Sequence, residues 1–134
     1  MERFVDQLVI DDGRGDCLRA CVCSVLGLDP SGVPNFAELD FFRGLNDWLK
    51  PKGLQFIWIA ISHVPSLHGF YFGFAPEYLL VWGESPRPRA DGSRKQHIVV
   101  MKSDGYGARI VHDPHPDRTG LECIHGFGFI VPRE

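Results

Sequence analysis

At 134 residues the chain is expected to form one domain, 1–134, with a core large enough to stand without a disulfide or metal staple. Its 44% hydrophobic and 23% charged residues are those of an ordinary globular protein, and a net charge of −3 gives no basic footprint for nucleic acid or an anionic membrane. No apolar run approaches the roughly 18 residues of a membrane span, and "MERFVDQLVIDDG", with acids at both ends, is not a signal peptide. The four cysteines (Cys17, Cys21, Cys23, Cys123) are therefore expected to stay reduced, as in a cytoplasmic protein.

The first element is read in "GRGDCLRACVCSVLGL", residues 13–28. Asp16 suits an N-cap, and Leu18, Cys21, Val22, Val25 and Leu26 recur at the spacing of a core-facing helical stripe. Gly27 is placed to end that helix. Cys17 lies beside the stripe at the first turn, where the helix N-terminus favours a thiolate. A second helix is predicted within "NFAELDFFRGLNDWLKPKG", its stripe being Phe36, Leu39, Phe42, Leu45, Trp48 and Leu49, with Pro51 and Gly53 as stops. Strand-like runs follow at 54–61, 69–74 (weaker), 78–83, 97–102, 108–113 and 126–131. Helices first and strands later predict an α+β fold, with the helices on one side of an antiparallel sheet.

Between Gly83 and His97, "ESPRPRADGSRKQ" carries Arg87, Arg89, Arg94 and Lys95. It reads either as an exposed connection or as a rim that meets a carboxylate-bearing substrate. Next, "HIVVMKSDGYGARIVHDPHP" predicts a hairpin with Ser103–Gly107 as its loop. Opposing Lys102 to Ala108 sets His97 across from Asp113, Val99 from Val111 and Met101 from Arg109. Directly opposed residues have Cβ atoms about 4.5–5.5 Å apart, within reach of an imidazole–carboxylate hydrogen bond.

A thiol at a helix start plus a His–Asp pair has the makings of a nucleophile, its base and the base's orienter. The Cys17 N–H and the side-chain amide of Gln7 are candidate oxyanion donors. "DCLRAC" heading a helix, "HIVV" opening a strand and "VHDP" closing the next resemble the papain-like cysteine peptidases, and most closely the bacterial branch that removes double-glycine leader peptides. That resemblance implies a papain-like fold with Cys17 as nucleophile, His97 as base and Asp113 as orienter. It implies a peptide, isopeptide or small amide as substrate. Leu18 stands where that branch has Gly, and Gln7 lies further upstream than its oxyanion Gln. "GDCLRACVCSVLGLDPSGVPNF", "GESPRP" and "HDPHPDRTGL" also resemble small bacterial and phage proteins of the same layout, a likeness that brings no activity with it.

Three readings stay open: a thiol-dependent hydrolase, an inactive module of the same shape that binds a peptide or small partner, and a metal-binding accessory protein. His112 and His115 with Cys17 and Cys21 match no standard zinc spacing, so no metal and no cofactor is expected. Cys21 and Cys23 read as core residues, and His125 as a packing or surface residue. No feature fixes the oligomeric state.

Overall fold

The computed structural model describes residues 4–10, 15–93 and 95–133. Gly13 and Arg14 of the first turn, and Arg94 of the basic loop, lie outside the described residues. Helix α1 runs Cys17–Leu26, and Gly27 closes it in the left-handed region (φ 69°) with its N–H on the Cys23 carbonyl. Its burial is wider than one stripe, taking in Leu18, Ala20, Cys21, Val22, Cys23 and Ser24. The sheet covers one side and the segment 4–10 another. There Ser24 Oγ donates to the Ala20 carbonyl and accepts the Val5 N–H, each at 2.8 Å.

The expected second helix is broken in two. A single 3-10 turn, Phe36–Glu38, follows the Asn35 cap, and α2 spans Phe42–Leu49. Asp40 and Phe41 between them both take positive φ, 64° and 49°, which reverses the chain. The reversal stacks Gly44 on Leu39 so closely that a Cβ there would fall 2.0 Å from the Leu39 carbonyl oxygen. Leu39 is consequently exposed, while Phe36, Leu45 and Leu49 are fully buried. A further 3-10 turn, Lys50–Lys52, ends at Gly53.

Five strands follow: β1 (Leu54–Val64), β2 (Tyr78–Glu84), β3 (Gln96–Ser103), β4 (Ala108–His112) and β5 (Cys123–Pro132). They form one antiparallel sheet in the order β1-β5-β2-β3-β4. The helices lie on one face, where Leu18, Val22, Phe36, Leu45, Phe56, Leu80, Ile98 and Val100 share a core. Leu67, Phe72, Leu79, Val81, Val99, Met101, Phe127 and Phe129 form a second core on the other face. Both faces of β2 and β3 are thus dry, which accounts for the unbroken "LLV" and "IVVM" runs. Asn46 of α2 bonds both backbone groups of Phe56, at 2.7 and 3.0 Å, and so docks α2 against the edge strand β1. Among the described residues no helix is long and apolar enough to cross a membrane.

Two further expectations need correction. The run 69–74 is not a strand; it is a turn-rich cover over the second core, touching the sheet through one bridge, Tyr71–Tyr106. Its anchors are Phe72 N–H to the Gly105 carbonyl and Gly107 N–H to the Phe70 carbonyl, each 2.6 Å. The β3–β4 register also differs from the one predicted. Ser103 pairs with Ala108, Lys102 with Arg109 and Met101 with Ile110, and a bulge then sets Val100 opposite His112. The turn is tighter by one residue because Gly105 (φ 108°) and Gly107 (φ 78°) let the chain reverse within 104–107. The bulge adds a second shift toward the His97 end.

If the 69–74 segment is a core cover, Phe72→Ala should lower unfolding stability by about 3–5 kcal/mol. Tyr71→Ala, at an exposed position, should change it by about 0.5 kcal/mol or less. Urea denaturation of the two variants checks this.

Candidate active site

Asp16 precedes α1 but does not cap it: no side-chain bond reaches a helical N–H. Its buried carboxylate turns to the segment 4–10 instead. Oδ1 accepts the N–H groups of Leu8 (3.0 Å) and Val9 (2.9 Å), and Oδ2 accepts Arg19 Nη2 at 2.7 Å and Nε at 3.0 Å. The helix start is therefore fastened to the N-terminal segment by one carboxylate, with Arg19 compensating its charge in a site that is 1% exposed.

Cys17 is a free thiol at the first position of α1. It keeps some exposed surface, yet its sulfur is crowded, and burial pushes the thiol up to about 11. Backbone hydrogen bonds at Ile98 and Leu18 and the Lys95 charge work in the opposite direction, while Asp16 adds to the rise. Desolvation thus runs against the lowered thiol expected from the helix terminus. Ile98, which touches Cys17, directly follows His97 on β3. One turn along α1, Cys21 Sγ donates to the Ile98 carbonyl at 3.5 Å, and both Cys21 and Cys23 are fully buried.

His97 and Asp113 meet. His97 Nε2 lies 2.6 Å from Asp113 Oδ1, with the two side chains 2% and 3% exposed. They are not cross-strand partners: Asp113 lies just past the end of β4, and the bulge and the turn after it bring the carboxylate to the ring. Oδ1 also accepts the His115 N–H (3.0 Å), and Oδ2 accepts the Gly120 N–H (2.7 Å). Burial alone would raise this carboxyl, but the His97 bond, the His115 N–H, the His97 charge and the Gly120 N–H bring it below its ordinary value. The ionised carboxylate fixes the His97 tautomer. With Nε2 directed at the carboxylate, Nδ1 is the ring nitrogen left on the other side.

Gln7 lies between the two halves of this arrangement. Its N–H bonds the Pro114 carbonyl at 2.9 Å, next to Asp113. Its side-chain Nε2 donates to Val9 O (3.2 Å), the carbonyl that also takes the Asp16 N–H, and its Oε1 is buried with no partner among the described residues. The amide is thus committed to its own segment at rest, with one of its two N–H bonds uncommitted among the described residues.

Several supporting residues carry no sequence signal of their own. Arg118, at φ 56°, donates from Nη1 to the Asp113 carbonyl and forms a two-pronged pair with Asp6 at 2.7 and 3.0 Å. His112 bonds the Val5 carbonyl at 2.8 Å and stacks on Phe4 at 5.1 Å. The basic loop is less free than a rim would be, because Arg87 Nη1 clamps Asp117 (2.6 Å) and Thr119. The metal set considered from the sequence does not assemble, since His112 turns to Val5 and His115 Nδ1 to the Asp117 N–H.

Two measurements follow from the electrostatics. Alkylation of Cys17, followed residue by residue with mass spectrometry, should be slow at pH 7 and climb with pH toward about 11. Asp113→Asn should cost about 1.5–3 kcal/mol near neutral pH, the worth of a hydrogen bond to a charged group. Because the folded Asp113 titrates below its unfolded value of about 3.9, its contribution is complete above that value and lost as pH falls through the folded one. The stability gap between wild type and variant should accordingly close in acid.

Compared with known proteins, the chain matches no family model, no curated protein and no solved structure.

Proposed function

We propose that the chain is a papain-like thiol hydrolase in which Cys17 attacks a peptide, isopeptide or small-amide carbonyl. The observation that carries this reading is the buried, fully bonded His97–Asp113 pair, one residue along β3 from the backbone that touches the Cys17 sulfur. A core histidine does not need an ionised carboxylate with two further N–H donors behind it; a base that must accept a proton does. As the Cys17 Sγ–carbon bond forms, the thiol proton passes to His97 Nδ1, and Asp113 stabilises the imidazolium. The imidazolium then gives that proton to the leaving amine as the C–N bond breaks, leaving a thioester on Cys17. Water, deprotonated by His97, hydrolyses the thioester and restores the thiol. The Cys17 N–H and the uncommitted N–H of Gln7 are the oxyanion donors of this reading. A neutral resting thiol suits such a route, since the base acts during attack and no standing thiolate is required.

The raised Cys17 thiol favours a second reading, in which the chain binds a peptide or small partner at these residues without turning it over.

A peptidyl vinyl sulfone probe with peptide mass spectrometry separates the two. Under the hydrolase reading the label falls on Cys17, drops about 10²–10⁴-fold in His97→Ala and falls strongly in Asp113→Asn. Cys17→Ala should abolish turnover of any cleaved substrate while leaving the far-ultraviolet circular dichroism unchanged. Equal labelling of Cys17 and Cys123, unaffected by His97→Ala, would remove the hydrolase reading.

A further inference from the structure

At the start of β5, four side chains of metal-binding type converge. Cys123 and His125 are two residues apart on β5 and so share a face, while Ile124 between them is buried on the opposite one. Glu84, at the end of β2, is the direct partner of Cys123. Gly83, before it, lies so close to β5 that a Cβ would fall 1.9 Å from the Cys123 carbonyl oxygen. His63 comes from β1. There Ala60 pairs with Gly126 and Val64 with Ile124, so residues 61–63 bulge past the single residue His125. The bulge sets the His63 ring 4.0 Å from that of His125.

Cys123 Sγ lies 3.3 Å from His125 Nε2, and Glu84 Oε1 lies 3.8 Å from the same nitrogen. One ligand atom from each of the four residues falls within 4.8 Å of all the others. In a tetrahedral zinc site, with Zn–S about 2.3 Å and Zn–N or Zn–O about 2.0–2.1 Å, neighbouring ligand atoms stand roughly 3.4–3.6 Å apart. Two of the separations, 3.3 and 3.8 Å, are already close to that spacing, and the others need contract only from within 4.8 Å.

We infer that His63, Glu84, Cys123 and His125 bind a divalent metal of the zinc type. One sulfur, two imidazole nitrogens and one carboxylate oxygen form a donor set for a borderline ion and a poor one for magnesium or calcium. Binding replaces the Cys123 thiol proton, which leaves to solvent, and a dication with one thiolate and one carboxylate is electrically neutral. Four protein ligands close the coordination sphere, so the ion has a structural role. It ties β1, β2 and β5 together where two ladders are irregular, the β1–β5 pairing between Ala60 and Val64 and the β2–β5 pairing between Trp82 and Gly83. The site is independent of Cys17 and stands or falls apart from the hydrolase reading.

The test is titration of the chelator-stripped, reduced full chain with cobalt(II), read by absorption, followed by displacement with zinc. One cobalt per chain is expected, with intense tetrahedral d–d bands and a thiolate-to-cobalt charge-transfer band that zinc abolishes. Cys123→Ser should remove the charge-transfer band, and Cys17→Ser should leave it intact. His63→Ala alters an exposed position that holds no core contact and should weaken binding at least tenfold, with circular dichroism confirming that the variant is folded. Absence of binding at tens of micromolar metal, a weak six-coordinate spectrum, or a charge-transfer band that survives Cys123→Ser would overturn the site.

Discussion

The carboxylate of Asp113 receives three hydrogen bonds in a place almost closed to water, from His97, from the His115 N–H and from the Gly120 N–H. A charge in such a place must be fully bonded, and meeting that demand dictates the path of the surrounding chain. The loop after β4 curls so that residues 115 and 120 present their amides to one side chain. Arg118, in the left-handed region, then reaches back to the Asp113 carbonyl and outward to Asp6. Through Asp6, Gln7 and the Leu8 and Val9 amides held by Asp16, the same network runs to the start of α1. Cys17, His97 and Asp113 thus rest on one continuous polar scaffold laid over the sheet.

That scaffold is polar, while what it rests on is apolar on both sides. The helices cover one face of the sheet, and the non-regular segment around Phe72 covers the other. A sheet dry on both faces gives β3 little freedom to shift, which keeps His97 at a fixed height relative to α1. The thiol shares this dryness. The packing that positions Cys17 also withholds the solvation a thiolate would need, so position and resting ionisation pull against each other.

Local chemistry was readable in the sequence, and the rest depended on contacts between distant segments. Cys17–Leu26 and its Gly27 stop follow from apolar spacing and one glycine. The break at Asp40 and Phe41 does not, because the apolar spacing continues across it and neither residue announces a left-handed backbone. The aromatic run 69–74 has strand composition but its glycines and tertiary bonds make it a cover. His97 and Asp113 do meet, though by a bulge and a loop rather than by the cross-strand pairing their spacing suggested. Cys123 and His125 lie outside the run 126–131 read as a strand, so their shared face on β5 was not anticipated. Joining them to His63 and Glu84 requires knowing that β5 lies between β1 and β2, which no local pattern states.

That strand order bears on how the molecule comes into being. β1 has a single neighbour in the sheet, and that neighbour is β5, the last strand along the chain. During synthesis β1 and the α2 helix docked on it must wait, unpaired, until some seventy residues later β5 emerges to slot between β1 and β2. The β2–β3–β4 meander can close early from nearby contacts, whereas the sheet as a whole is completed only by long-range pairing, the slow kind. Until then the edges of β1 and β2 stay open together, and the interval before β5 arrives is when a nascent chain most needs to be kept from pairing with another.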